Sequence, residues 1–488
     1  MKPQDASSFK PFLKNEKPLI ALVLFTSVLY SVLSILRHWH FGSNTYDLGL
    51  YDQMAWHYSR FEAPASTSML LQNSLGDHFS PLLALCAPLY WLFPRAETLL
   101  VVQAVLFGVT LIPLFLFCEK RVGRNQAYCL AVAFIFFWGV QNTTGYDFHP
   151  DVFAVPLIAF AVYLIDQKNW FWTSLSILTL IFVKEDLTLL VAAFGIYLGF
   201  HQKVRLGFLF FLIGLFFFYL EVAVIIPHFN NVDGTYNHWI YTDFGKGPGQ
   251  SLKAVLQNPF LIFDVLFSNG ARVKTLFFLF APFLFLPLLS PQMILIVPLI
   301  AAKLLAAAPN YWGLAYHYSA TLCPLLVMAG AEGLVYWRKK EFLKKGFFKS
   351  LLPAPTYILM INLILVPIIS PWRHVEHAAF WTLSEEEKTG SEGFALIPPG
   401  AAVATQSSIA PHLSERKDIY ALGSNVDWHA IQPDFFIANR DLSCWPITYS
   451  EIDVCLNEKM KNGYKKIFEK DNWIVLQREG NAGIAWKL

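Results

Sequence analysis

The sequence predicts a polytopic α-helical membrane protein with a small C-terminal α/β domain. Of its 488 residues, 55% are hydrophobic and only 15% are charged, against roughly 25% charged residues in soluble domains. Apolar runs recur up to about residue 370, whereas the chain from residue 371 is polar and alternates short strand and helix patterns. We therefore predict a membrane domain, 1–370, followed by an α/β domain, 371–488.

Composition also argues against several other classes of protein. The formal net charge is only +2, and no basic run is interleaved with aromatic residues, so nucleic acid is not expected as a partner. The six cysteines lack the spacing of metal ligands. Cys444 and Cys455 lie in the polar tail, where they could pair if the tail faces an oxidising compartment, and the sequence leaves that pairing open.

The first apolar run, from Pro18 to about Leu36, is long enough to span a membrane. Four lysines precede or open it: Lys2, Lys10, Lys14 and Lys17. Arg37 follows directly and no small-residue cleavage site is present, so the run predicts an uncleaved signal-anchor helix with a cytoplasmic N-terminus.

About eleven spans are expected in all. The further candidates are 97–118, 126–141, 152–165, 170–183, 187–200, 206–226, 275–290, 291–306, 319–337 and 351–370. The run from Pro81 to Phe93 has about thirteen residues, which suits an interfacial helix better than a span. If it does not cross, the basic clusters face the cytoplasm, as the positive-inside tendency requires. These clusters are Lys120, Arg121 and Arg124, then Lys168, then Lys203 and Arg205, and then Arg338, Lys339, Lys340, Lys344, Lys345 and Lys349.

The same threading places the tail and five loops on the outer face: 38–80, 142–151, 184–186, 227–274 and 307–318. In the tail, strands are predicted at 402–405, 419–422, 435–438, 464–468 and 473–477, and a short helix at 409–414. A second helix is predicted from Ser450, with Asp453 completing a capping box. The last two strands are joined by a predicted turn at Asp471-Asn472.

Acidic and histidine residues interrupt the apolar chain mainly in these outer loops. Asp47 and Asp52 lie in a segment, 46–58, whose apolar spacing indicates an amphipathic interfacial helix. Asp47 is a candidate functional residue or an N-cap, and Asp52 a candidate ligand or part of a solvated face. Asp77 and His78 precede the interfacial helix at Pro81, and either Asp77 caps that helix or both residues bind a sugar or phosphate.

The later outer loops carry the remaining candidates. Asp147 and His149 are candidate ligands of a substrate or metal, although two residues are too few to specify a metal site. Asp151 is interpreted as the cap of the span that begins at Val152. Lys184, Glu185 and Asp186 lie between two apolar runs with almost no loop, and charges at such depth mark function by default. A lysine there suits a phosphate, and Asp186 is a candidate cap.

His317 lies in an aromatic outer loop with Tyr316 and Tyr318. Such loops often form the aromatic belt at the membrane interface. A wall that stacks a sugar ring is the alternative interpretation, in which His317 also contacts the substrate.

Several of these motifs together resemble a bacterial family of predicted membrane proteins, catalogued as domain of unknown function two thousand seventy-nine and grouped with the GT-C glycosyltransferases. They are 46–53 (YDLGLYDQ), 75–81 (LGDHFSP), 147–150 (DFHP) and 183–186 (VKED). The resemblance implies a GT-C-like fold in the bacterial inner membrane, with interfacial helices in the first outer loop. It further implies a polyprenyl-phosphate-linked sugar as donor and an acidic residue in that loop, here Asp47, as the catalytic group.

One departure from the superfamily pattern concerns metal. Many members carry a tight pair of acidic residues in the first outer loop, whereas Asp47 and Asp52 are five positions apart. A divalent metal is therefore possible but not required, and a metal-free inverting transfer is the simpler hypothesis. In that hypothesis Asp47 is the general base and Lys184 neutralises the departing phosphate, while Glu185 positions Lys184.

A transporter or flippase of a lipid-linked or small polar substrate is the alternative function. Transporters tend to carry ionisable residues near the bilayer midplane and to show repeats with broken helices. Here the charges cluster at one interface and no repeat is visible, which favours the enzyme.

Overall fold

The computed structural model describes residues 16–339, 354–423 and 427–480. Within these ranges the chain is mainly helical up to residue 395 and ends in a five-stranded sheet. Lys2, Lys10, Lys14, Lys340, Lys344, Lys345 and Lys349, on which the predicted orientation partly rests, lie outside the described residues.

The α-helices before the sheet are numbered in chain order. They are α1 (Lys17–Trp39), α2 (Leu50–Ser59), α3 (Ala87–Tyr90), α4 (Glu97–Val122), α5 (Arg124–Phe136), α6 (Trp138–Thr144), α7 (Ala154–Asp166), α8 (Trp170–Thr179), α9 (Leu187–Phe200), α10 (Val204–Leu220), α11 (Ile226–Phe229), α12 (Pro248–Gln257), α13 (Leu261–Phe267), α14 (Gly270–Phe280), α15 (Met293–Leu304), α16 (Pro309–Trp312), α17 (Leu322–Lys339), α18 (Ala354–Ile369) and α19 (Glu385–Ala395). Helix α20 (Tyr449–Lys461) lies between strands of the sheet.

Three helices of the described chain are long and apolar enough to cross a membrane: α1, α4 and the continuous helix Val204–Phe229, which contains α10 and α11. Helices α5 and α6 form a fourth candidate if the pair, bent by 42° at Phe137, is one span. The expected total of about eleven spans is therefore not confirmed. The predicted interfacial helix is present as a 3₁₀ turn, Pro81–Cys86, that continues into α3, and its ten residues are too few to span.

The segment predicted as a span at 275–290 is broken. Helix α14 ends at Phe280 and is followed by two 3₁₀ turns, Ala281–Phe283 and Leu286–Leu289. Pro282 and Pro287 lack the backbone N–H that would continue the helix. Leu284 and Phe285 between the turns adopt left-handed backbone angles, with φ of 55° and 56°.

Helix α4 forms the centre of the helical bundle. It packs against α1, α5, α7 and α17, and its inward residues Leu99, Phe107 and Leu111 are fully buried. Helices α9 and α10 pack against each other through Gly195 and Gly207, where a Cβ on either residue would collide with the facing backbone. Small residues allow this close approach of two apolar helices.

The C-terminal sheet has the order β2-β1-β3-β5-β4, with strands β1 (Val403–Thr405), β2 (Ile419–Ala421), β3 (Phe435–Asn439), β4 (Tyr464–Lys470) and β5 (Trp473–Arg478). Strands β1, β2 and β3 are parallel, whereas β5 pairs antiparallel with β3 and β4. The turn at Asp471-Asn472 places both residues at positive φ, as a tight hairpin turn requires.

Two details of the predicted tail are corrected. Helix α20 begins at Tyr449, and its capping box is formed by Thr448 and Glu451 rather than by Ser450 and Asp453. The predicted helix at 409–414 is a single 3₁₀ turn, Ala410–His412. Cys444 and Cys455 are both free thiols, so the pairing that the sequence left open is not formed.

The sheet is joined to the first outer loop by buried hydrogen bonds. Asp52 in α2 accepts hydrogen bonds from the hydroxyls of Tyr90, at 2.5 Å, and Ser414, at 2.7 Å. Thr67 accepts a bond from the backbone N–H of Ile419, the first residue of β2, at 2.9 Å. Asp52, a candidate substrate ligand by sequence, is thus fully buried in a contact between the two domains.

We predict that this contact weakens as the pH rises. Burial raises the pKa of Asp52 to about 7 despite the hydrogen bonds from Tyr90 and Ser414, which lower it. The unfolded carboxyl has a pKa of about 3.9, so the stabilisation is complete below about pH 4 and is lost as the pH approaches 7. The Asp52→Asn variant should lose this part of the pH dependence of the melting temperature.

The matched control is Asp453→Asn, which changes an exposed carboxylate paired with Arg440. It should keep the pH dependence of the wild type. An Asp52→Asn protein with an unchanged melting profile between pH 4 and 8 would contradict the role given to Asp52.

Candidate functional site

The polar clusters of the outer loops form three connected groups. One contains His149, Asp151, Lys184 and His317, the second is built around Glu185 and His78, and the third around Asp47 and Asp147. The sequence places these residues in loops far apart along the chain, and the helical bundle brings the loops together.

Lys184 lies in the short turn between a 3₁₀ turn, Leu180–Phe182, and α9. The residue is only 7% exposed, and its Nζ lies 3.7 Å from Oδ2 of Asp151. Burial lowers the pKa of the ammonium, but the carboxylates of Asp151 and Asp186 outweigh it and hold the pKa well above its ordinary value. Lys184 is therefore a permanent buried cation.

Asp151 is not the helix cap that the sequence predicts. The cap of the turn Pro150–Phe153 is His149, whose Nδ1 accepts a bond from the Asp151 backbone N–H at 3.5 Å. The Asp151 carboxylate instead approaches Nδ1 of His149 at 3.0 Å and Nε2 of His317 at 3.9 Å. Although burial raises its pKa, the neighbouring Lys184 and His149 lower it further, so the group is a carboxylate.

The two histidines of this group are stacked. Their ring centroids are 3.9 Å apart with an angle of 13° between the planes. Burial and, for His317, the neighbouring His149 lower the pKa of both imidazoles. Both rings are therefore neutral near pH 7.

Glu185 joins the first outer loop to the loop that follows α11. Its carboxylate lies 2.7 Å from Nδ1 of His78 and accepts bonds from the Phe79 backbone N–H and the Tyr236 hydroxyl. Burial raises the Glu185 pKa, but His78 and Lys184 lower it to about 2. Glu185 thus organises the loops directly, whereas the sequence suggested that it positions Lys184.

His238 completes this second group. Its ring stacks on that of His78 with centroids 4.0 Å apart, and its Nε2 lies 2.7 Å from Oδ1 of Asp77. Asp77 therefore binds His238 and does not cap the helix at Pro81. Burial raises the pKa of Asp77, but the hydrogen bond and the two histidines lower it to about 2.

A cavity of about 300 Å³ lies among these groups. Its polar lining residues are His78, Asp151, Lys184, Glu185, Asp186, His238 and Lys303, and its aromatic residues include Tyr236, Trp239, Tyr241, Tyr311 and Tyr318. The rings of Tyr311 and Tyr318 stack at 4.0 Å, and Nζ of Lys303 lies 5.9 Å from the Tyr318 ring centroid. The cavity thus combines two buried ammonium groups with an aromatic wall.

Two lining residues changed in standing relative to the sequence analysis. Asp186 was interpreted as a cap, but its side chain makes no capping bond to α9 and faces the cavity instead. Lys303 was missed because it lies inside an apolar run that was counted as a span. A single lysine in such a run is the signal that should have identified it.

Asp47 lies beside the cavity rather than on its wall. Its carboxylate accepts a bond of 2.8 Å from the hydroxyl of Tyr146, whose ring packs against those of Tyr316 and His317. The expected N-cap role is wrong, because Asn44 caps this turn through its bond to the Tyr46 N–H. Burial and the carboxylate of Asp147 raise the Asp47 pKa to about 7, although Tyr146 and Lys184 oppose them.

Asp147 anchors the first outer loop. One oxygen pairs with Arg37 at 2.8 Å and the other accepts a bond of 2.9 Å from the Asn44 backbone N–H. Both oxygens of this buried carboxylate are therefore already engaged. Among the described residues, Asp47, Asp52, Asp77, Asp147, His149 and His317 do not line the cavity, whereas His78, Lys184 and Glu185 do.

A bundle of apolar helices with a charged cavity at one end defines an integral membrane protein with a surface-facing binding site. The chain belongs to the family described as predicted membrane protein (DUF2079), whose model matches residues 37–475.

The fold is similar to that of ArnT from Cupriavidus metallidurans, a protein solved in complex with undecaprenyl phosphate. The alignment covers 96% of this chain and 99% of that chain, with 11% identity and a TM-score of 0.54. For the apo form of ArnT the values are 92%, 97%, 10% and 0.47. No curated protein sequence matches the chain.

We predict that Asp147→Asn destabilises the protein. The substitution removes the negative charge that pairs with Arg37, and breaking a buried pair typically costs about 3–5 kcal/mol; partial exposure of Arg37 places this case at the lower end. The melting temperature of the purified protein should fall clearly. Lys388→Met, which breaks the exposed pair with Glu385, is the control and should change it little.

Proposed function

We propose that this protein is an integral-membrane glycosyltransferase that moves a sugar from a polyprenyl-phosphate donor to an extracytoplasmic acceptor. The observation that carries the proposal is the cavity in which the buried cation Lys184 faces an aromatic wall. The fold supports it, since the similar protein ArnT is a GT-C glycosyltransferase seen with undecaprenyl phosphate.

The cavity suits both halves of such a donor. Lys184 and Lys303 are the two ammonium groups on its wall, and a compact ammonium group pairs well with phosphate. Tyr311 and Tyr318 present stacked aromatic rings to the same space. A sugar ring packs on such surfaces through its apolar C–H face, while its hydroxyls bond to polar neighbours.

In this proposal Asp47 is the general base. Its raised pKa of about 7 places it near the operating pH, where proton transfer is most efficient. Asp47 acts electrostatically on Lys184 and on Tyr318, so it lies close enough for an acceptor to enter between it and the cavity. Tyr146 holds the carboxylate in place.

The transfer conserves atoms and charge. Asp47 takes the proton of the acceptor hydroxyl while the acceptor oxygen bonds to the anomeric carbon of the donor. The bond between that carbon and the phosphate oxygen breaks, and its electron pair leaves on the phosphate. Lys184 stabilises the charge that develops there. Attack from the face opposite the phosphate inverts the anomeric centre.

The remaining predicted residues have supporting roles in the proposal. Asp147 fixes the loop that carries Asp47, and Glu185 with His78 fixes the wall beside Lys184. His149 and His317 hold Asp151, the partner of Lys184. The proposed setting is the bacterial inner membrane, with the N-terminus cytoplasmic and the cavity and α/β domain facing outward.

We predict that Asp47→Asn and Lys184→Ala each abolish most of the transfer. Loss of a positioned general base typically lowers the rate by about 10²–10⁴-fold. The assay follows a labelled sugar from polyprenyl-phosphate-linked hexoses into glycolipid or surface glycan, in membranes from a deletion strain that carries each variant. Full activity in both variants would contradict the assignment.

Asp233→Asn is the matched control for these variants. Asp233 is an exposed carboxylate whose contacts are confined to its own outer loop. Its substitution should leave the transfer rate unchanged. Expression and melting temperature of all variants must match the wild type for the comparison to hold.

The pH profile gives a separate test of the general base. Because Asp47 must be deprotonated to accept a proton, kcat/KM should rise with pH through about 7, the pKa of Asp47, and then level off. The residual activity of Asp47→Asn should lack this rise. A wild-type rate that is constant between pH 5 and 8 would argue against Asp47.

A further inference from the structure

His149, Asp151 and His317 bring three potential metal ligands together from two distant segments. One nitrogen or oxygen from each lies within 4.8 Å of the others. His149 and Asp151 alone are too few ligands to define a metal site. The third ligand comes from the loop before α17, which sequence spacing could not connect with them.

His317 is the residue that needs an explanation. The residue is only 2% exposed, and neither ring nitrogen has a hydrogen-bond partner among the described residues. Oδ1 of Asp151 beside it is likewise buried without a hydrogen bond. A buried polar group without a partner costs about 1–3 kcal/mol. A ligand that engages the imidazole and the carboxylate together would remove this cost.

The chemistry of the three groups favours a metal ion. Two neutral imidazoles and one carboxylate form a ligand set typical of zinc in sites that keep an open position. The surroundings also fit, because Nε2 of His149 lies 3.1 Å from the Tyr51 hydroxyl. Ligating histidines usually bond through their other nitrogen in this way, which orients the ring.

Lys184 does not replace such an ion. Its Nζ approaches Oδ2 of Asp151 at 3.7 Å but makes no contact that would satisfy His317. The ammonium therefore explains one oxygen of the carboxylate and leaves the second oxygen and the imidazole unexplained.

We propose that His149, Asp151 and His317 bind a zinc-like divalent transition metal. Asp151 lines the cavity, so the open position of the ion lies on the cavity side. The site would tie the loop after α6 to the loop before α17 and add a second positive centre next to Lys184. The proposal does not depend on the transferase activity, because metal binding is measured without it.

The test uses the full-length protein in detergent, stripped with a chelator and titrated with Co²⁺. We expect one Co²⁺ per chain, with the absorption bands of a low-coordinate site, and displacement by Zn²⁺. His317→Gln should weaken Co²⁺ binding by more than the roughly 10- to 100-fold typical of second-shell changes. Lys184→Met should strengthen binding because it removes a neighbouring like charge.

The matched control is His238→Gln. His238 belongs to a second group of possible ligands, with Asp77 and His78, and should leave Co²⁺ binding unchanged. Asp151→Asn is the alternative variant if His317→Gln does not fold, as judged by circular dichroism and gel filtration. If neither folds, retained binding by His238→Gln supports the proposal.

Two results would overturn the site. One is folded wild-type protein that binds neither Co²⁺ nor Zn²⁺ stoichiometrically. The other is binding that is lost in His238→Gln, or kept in a folded His317→Gln, because the ion would then lie elsewhere. The transfer activity of Asp47→Asn has no influence on either measurement, so the failure of one proposal leaves the other standing.

Discussion

The high cost of burying charge next to an apolar helical bundle governs the outer end of this protein. Lys184 and Asp151 can lie there only because each compensates the other. The same requirement pairs Asp147 with Arg37 and Glu185 with His78. The loops of the outer face are therefore held in one arrangement by their ion pairs, and the cavity is the space that this arrangement leaves.

Patterns local in sequence were predicted well. The five strands of the tail follow from alternating apolar residues, and the observed strands lie within about two residues of the predicted ends. The short helix at Pro81 follows from its length alone. The cluster at Lys184 was found because three consecutive charges cannot lie between two apolar helices without a reason.

Features that depend on distant contacts were not predicted. Asp151 was read as a cap because a carboxylate before a helix usually is one, yet its partners come from α9 and from the loop before α17. Asp52 was read as a ligand because nothing in its neighbourhood reveals Ser414. The span count failed where prolines break apolar runs, since composition measures hydrophobicity and not helix continuity. Lys303 was hidden by the same averaging.

The contact between the first outer loop and the sheet has a consequence for how the protein is made. Asp52 obtains one of its hydrogen-bond donors from Ser414, and Thr67 obtains its donor from Ile419. These partners are synthesised more than 340 residues later. During synthesis the early loop must wait, incompletely bonded, while the rest of the bundle is inserted. The chain can complete its outer surface only when its last domain arrives, so a truncated product would be left with an unfinished first loop.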